Sequence, residues 1–167
     1  AAATTTGTGF LEPNAMDSLE FLHNGDTAVA GVQYSYLPSW ISLLADQEVT
    51  RETSQIVFRT VHDHWRSLPD GERPSLYLFG LSLGSFGVES ILSSIEVINA
   101  PVDGAFLTGP PFVNPLWNTI TENRDEGSPA WLPIYAEGRT VRFTSRENAL
   151  DEPTGQWGDT RIVYLQH

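Results

Sequence analysis

Cysteine is absent from the 167-residue chain, which excludes disulfides, thiolate metal sites and a cysteine nucleophile. Lysine is absent as well. All nine basic residues are arginine, against 21 Asp and Glu, and the formal net charge is -12. No basic cluster exists to neutralise a phosphate backbone, so nucleic acid is not an expected partner. An anionic membrane surface would repel the same acidic domain. No stretch approaches the ~18 apolar residues of a membrane span, so no direct span is expected. No signal-peptide pattern opens the chain. The arginine-only, acidic composition is the bias expected of a G+C-rich bacterial source.

What is present belongs to a folded protein. Apolar residues make up 40% of the chain and charged residues 18%, and the length suits one domain, residues 1–167, with a real core. The opening Ala1 to Thr6 lacks an initiator Met, and Arg161 to His167 stops at the end of an apparent strand. A domain trimmed at both ends is therefore expected.

The most informative stretch runs from Leu76 to Ser85. An apolar strand after a Pro-Asp-Gly-Glu turn meets Gly80-Leu81-Ser82-Leu83-Gly84, which is Gly-x-Ser-x-Gly, and a helix follows at once. Gly80 and Gly84 are expected where a Cβ would collide with neighbouring backbone. Ser82 between them is expected in a strained conformation, its hydroxyl exposed at the strand's carboxyl end. Val88, Ile91, Leu92 and Ile95 fall at i, i+3, i+4 and i+7, one face of that helix. The plainer reading is a βα turn with a capping serine.

The other segments supply the frame. Thr4 to Phe10 is a glycine-bearing turn before a helix capped by Asn14 and stopped at Asn24-Gly25. Its Gly7-Thr8-Gly9 lacks the spacing and lysine of a phosphate loop; donation of backbone N–H groups to an oxyanion suits it better. Thr27 to Tyr34 reads as a second buried strand. It leads into an aromatic loop, where Tyr34, Tyr36 and Trp40 either line a pocket or pack under the loop. From Asp46 to about Leu68 runs the longest helix, with Val49, Thr53, Ile56, Val57, Thr60, Val61, Trp65 and Leu68 on one face.

That helix carries His62 and His64. Residues two apart on a helix point about 200° from each other, so the pair is not expected to bind metal; partly exposed, satisfied histidines are expected. Val102 to Thr108 is the next strand, with Asp103 at the end away from the chemistry. The following Gly109-Pro-Pro-Phe-Val-Asn-Pro-Leu-Trp117 is a stiff loop expected to present Phe112, Asn114 and Trp117 as a pocket wall. Arg139 to Thr144 alternates like an edge strand or hairpin arm, and Arg161 to Gln166 is the last strand. Together these predict an α/β three-layer sandwich with a mainly parallel sheet.

Gly80 to Gly87, the Thr6-Gly-Thr-Gly9 turn, Gln33 to Trp40, Thr108-Gly-Pro-Pro and Val163 to His167 together resemble one bacterial α/β-hydrolase family. That family was once catalogued as a domain of unknown function. In its members a hydrolase-like domain follows a multi-helix membrane region, so the resemblance implies a parent protein anchored in a bacterial envelope. It covers nearly the whole chain, and the family's first strand or strands and whatever follows the last are expected to be missing from it.

The implied chemistry is acyl transfer through Ser82, with the Leu83 N–H as one oxyanion donor and a second near Gly7 and Thr8. In this fold the order along the chain is serine, acid, histidine. The resemblance places the acid just beyond the last strand and the base later still. His167, the one histidine after Ser82, then marks the start of the acid-bearing loop; the other reading makes it the base. Apolar, aromatic strand-end loops favour an ester or lipid-like acyl substrate, and the acidic surface disfavours an anionic one. No cofactor or metal is implied. The rival reading is a catalytically silent module that binds a lipid or a protein partner.

Overall fold

The computed structural model describes residues 1–37, 41 and 47–166. Its frame is a six-stranded sheet of β1 (Ala2–Thr4), β2 (Ala30–Val32), β3 (Tyr77–Leu81), β4 (Gly104–Thr108), β5 (Val141–Thr144) and β6 (Arg161–Leu165). The strands lie in the order β2-β1-β3-β4-β6-β5 and every pair is parallel. Parallel neighbours need long crossovers; helices supply all but the one from β5 to β6, which is a loop over residues 145–160. The helices are α1 (Pro13–Leu22), α2 (Gln47–Ser67), α3 (Leu83–Leu92), the short α4 (Ile95–Asn99) and α5 (Pro115–Glu122).

The inner face of the sheet holds the core. Leu78, Ala105, Leu107, Ile162, Tyr164, Val141 and Phe143 alternate along their strands and meet Phe58, Val88, Ile91 and Ile120 from the helices. On the opposite face, Met16, Leu19 and Leu22 of α1 stand across a groove of about 720 Å³ from Tyr77, Phe79, Phe106 and Val163. Helices on both faces of a parallel sheet make the expected three-layer α/β sandwich.

Packing changed several local expectations. Glu12, not Asn14, caps α1: its carboxylate accepts from the Asn14 N–H, and Pro13 takes the first helical position, where a missing N–H costs nothing. The strand expected to be buried from Thr27 to Tyr34 shrinks to three residues. It forms the sheet edge, with Val32 42% exposed. The helix after Ser82 ends at Leu92, so Ile95 opens a separate helix. Val141–Thr144 pairs in parallel with β6 and is an edge strand, not a hairpin arm.

On α2 the buried stripe is Thr50, Ser54, Phe58 and His62, while Val49 and Ile56 are exposed. The cause is a close crossing with α3. A Cβ on Gly87 would overlap the Ser54 hydroxyl and lie 2.5 Å from the Thr4 methyl carbon. Only small side chains fit there, so hydroxyl residues take the inward face.

Candidate functional site

β1 leads into a crossover on one side of itself, through α1 to β2. The chain then returns past β1 to β3, whose helix α3 packs on the other face of the sheet. The strand order therefore reverses between β1 and β3, and the carboxyl ends of strands at such a reversal frame a crevice. Thr4 pairs with Gly80 across it. The turn at Thr5–Gly9 and the turn at Ser82 consequently flank the same crevice.

At the end of β3 the backbone turns sharply. Ser82 has φ 52° and ψ -119°, a region sparsely populated by residues with a side chain. The surroundings hold it there. The Ser82 N–H donates to Thr108 O at 2.9 Å, and the Ser85 N–H donates to Ser82 O at 2.8 Å. A Cβ on Gly80 would sit 2.5 Å from Gly84 O and 2.8 Å from Ser85 Cα. One on Gly84 would overlap Thr4 O. Both glycines are required by space, as the spacing predicts. Leu83, next in the chain, buries its side chain as α3 begins.

The facing turn is held from the β2 side. Gly7 and Gly9 take φ 93° and 87°, the left-handed region where glycine carries no penalty. Gly7 O accepts from the N–H groups of Tyr34 and Ser35, both at 2.9 Å. The peptide is trans, so the Thr8 N–H of the same unit points away from Tyr34. Gly7 is buried and Thr8 exposed. Tyr34 Oη donates to Thr5 O at 3.1 Å, and its ring lies 3.6 Å from where a Gly7 Cβ would be. Tyr34 thus braces the turn, and burial pushes its phenol above the usual value of 10.0, opposed by a hydrogen bond with Thr50.

The remaining expected site residues scatter. Tyr36 and Phe112, 88% and 75% exposed, project from loops at the carboxyl ends. Trp117 is half-buried against the core. Asn114 is corrected outright. It is completely buried and faces inward, donating to Ser85 Oγ and Glu89 Oε1 at 3.0 Å each. A buried NH₂ needs acceptors, and Ser85 and Glu89 supply them. Trp40 and His167 lie outside the described residues.

Three histidines are described, and none stands at this edge. His62 is wholly buried, not partly exposed, between Phe58 and Trp65. Its Nε2 donates to Ala100 O at 3.0 Å, an acceptor that requires a donor. His23 and His64 line a cavity with Ala28, Ala30 and Tyr77 at the amino ends of the strands. Asp103 is at that end too, accepting from the Leu76 N–H at 2.6 Å. Among the described residues no group of three or more His, Asp or Glu is arranged to hold a metal. No helix among them is long and apolar enough to cross a membrane.

Beneath the Ser82 turn lies a group that the sequence reading passed over. Glu89 of α3 is 1% exposed and accepts from Tyr164 Oη, Asn114 Nδ2 and the N–H groups of Leu116 and Trp117. Burial raises its carboxyl above the ordinary 4.5, and those four hydrogen bonds oppose the rise. Burial, the nearby Glu89 charge and the bond it donates to Glu89 hold the Tyr164 phenol well above its usual range. The signal was a lone carboxylate in Val88-Glu89-Ser90-Ile91-Leu92, an otherwise apolar helix.

The groove of about 720 Å³ does not coincide with the Ser82 turn. It is lined by Ala1, Asp103, Gly104, Asp159 and Arg161, residues at or before the amino ends of their strands. The candidate site is placed at the reversal point of the sheet. Comparison with curated proteins and with solved structures found no match. The model of an alpha/beta-hydrolase family matches residues 1–167, and the chain belongs to that family.

Proposed function

We propose that the chain is the acyl-transfer domain of a serine hydrolase or acyltransferase, with Ser82 as nucleophile and an ester or lipid-like acyl group as substrate. One observation carries the reading. Ser82 is held at φ 52° and ψ -119°, on a strand-to-helix turn at the sheet's reversal point, where both flanking glycines are sterically required. These features support reading the turn as a nucleophile elbow.

In the reaction Ser82 Oγ attacks the acyl carbon while a histidine base takes its proton. The Leu83 N–H and an N–H from the Gly7–Thr8 turn stabilise the oxyanion. Collapse expels the alcohol, which receives the proton from the base, and leaves an acyl-serine. Water or a second alcohol then attacks the acyl-serine. The acid and the base are proposed to follow β6, in the order serine, acid, histidine that the family's fold uses.

A second reading has its own observation. His23, His62 and His64 all lie away from the Ser82 turn, and a serine without a base is a poor nucleophile. On that reading the domain is a silent module that binds a lipid or protein.

Labelling by a fluorophosphonate probe separates the two. The full gene product carrying this domain is compared with its Ser82→Ala variant. Labelling that disappears in the variant supports the nucleophile. Equal labelling of both, or none of either, sinks it and leaves the binding module.

A further inference from the structure

A buried line of hydrogen bonds connects the interior to the peptide that follows Ser82. Glu89 Oε1 accepts from Tyr164 Oη at 2.8 Å, Asn114 Nδ2 at 3.0 Å and the Trp117 N–H at 3.2 Å. Its Oε2 accepts from the Leu116 N–H at 2.8 Å. Four donors on two oxygens use the acceptor capacity of a carboxylate. The Asn114 amide must turn its NH₂ toward this group, because the reverse orientation would set oxygen against oxygen.

The same Nδ2 donates to Ser85 Oγ at 3.0 Å. With an incoming donor, Ser85 Oγ points its single proton onward to Ser82 O at 2.6 Å. Ser82 O therefore receives two bonds from one residue, the second from the Ser85 N–H at 2.8 Å. In a trans peptide the carbonyl and the following N–H point in opposite directions. Fixing Ser82 O thus fixes the direction of the Leu83 N–H.

We infer that Glu89, Asn114 and Ser85 are positioning residues that orient the Ser82–Leu83 peptide, and with it the oxyanion-donating N–H of Leu83. The inference rests on the reading of Ser82 as nucleophile. A helix start needs only the backbone bond from Ser85. The hydroxyl, amide and carboxylate behind it add a second restraint that reaches α5 and β6. They tie the Gly109–Asn114 loop and the Ser82 turn to one buried anion.

The test uses Ser85→Ala in the gene product carrying this domain, because it removes the final link and leaves the Glu89–Asn114 bond in place. His62→Ala serves as the control, since it weakens the core far from the turn. Two quantities are read: the rate of fluorophosphonate inactivation, and the ¹H–¹⁵N resonance and hydrogen-exchange rate of Leu83. The expected result for Ser85→Ala is inactivation slowed about tenfold, less than outright loss of an oxyanion donor. The Leu83 resonance should shift and its exchange should quicken. His62→Ala should lower Tm and move neither.

Wild-type inactivation rate and an unmoved Leu83 resonance in Ser85→Ala would overturn the inference while leaving Ser82 as nucleophile. If the wild type itself fails to label, the nucleophile reading falls. The Leu83 resonance then still decides whether these residues orient the peptide.

Discussion

Gly84 lies so close to Thr4 that a methyl group built on its Cα would overlap the Thr4 carbonyl oxygen. The first turn of α3 is thereby pressed onto the carboxyl end of β1, and the two turns that frame the crevice share one contact.

Gly84→Ala should therefore disturb both at once. The obstacle is backbone, which cannot swing aside as a side chain can, so the loss of stability is expected to be roughly 3 kcal/mol. Urea unfolding of the variant beside wild type measures it. A loss below about 1 kcal/mol would show that the two turns are not pressed together.

Ser82 carries a conformational penalty that its side chain requires. Glycine at this position removes the Cβ that makes positive φ unfavourable, so Ser82→Gly should stabilise the fold by about 1 kcal/mol. It should also abolish fluorophosphonate labelling. A lower Tm in Ser82→Gly would contradict the strain argument.

Glu89 gives the fold a specific pH signature. Its folded carboxyl binds a proton more tightly than the ordinary 4.5 of the unfolded chain, chiefly because it is buried. In the interval above 4.5 the folded state thus holds more proton than the unfolded one. The contribution of Glu89 to stability is greatest below 4.5 and declines as pH rises through the elevated folded value. Glu89→Gln cannot titrate and leaves one donor facing an NH₂, a loss of about 1–3 kcal/mol. The stability difference between wild type and Glu89→Gln should narrow as pH rises from 4.5. A gap that widens over that range would refute the assignment.

Arg142 anchors the long connection between β5 and β6. Its guanidinium donates to Gly138 O at 2.8 Å, and to Leu150 O and Gly155 O at 2.5 Å each. It also lies 4.1 Å from the Trp157 ring centre. A lysine ammonium cannot reach three carbonyls in a planar fork or stack in the same way. Arg142→Lys should cost about 2 kcal/mol and expose residues 145–160 to limited proteolysis. Unchanged protection of that segment would show that the fork is dispensable.

How much of this was readable in advance divides along physical lines. The Ser82 turn was legible because its requirements are local: an apolar strand, two glycines where a Cβ has no room, and an apolar helix immediately after. Asn114 was misread because a loop between prolines says where the backbone is stiff, not which way an amide turns. The Glu89 carboxylate was overlooked because its partners stand 25 to 75 residues away along the chain.

The linear chain by itself determined the parallel α/β frame, the strained serine and the exclusion of cysteine chemistry. Each follows from residue type and short-range spacing, which the backbone obeys before any tertiary contact forms. Only the tertiary structure decided that β2 lies at an exposed edge and that α2 turns Thr50 and Ser54 inward. It alone placed β6 between β4 and β5, and a buried anion beneath the serine. Periodicity tells which side chains share a face; what that face meets depends on contacts between distant segments, and those are settled by packing.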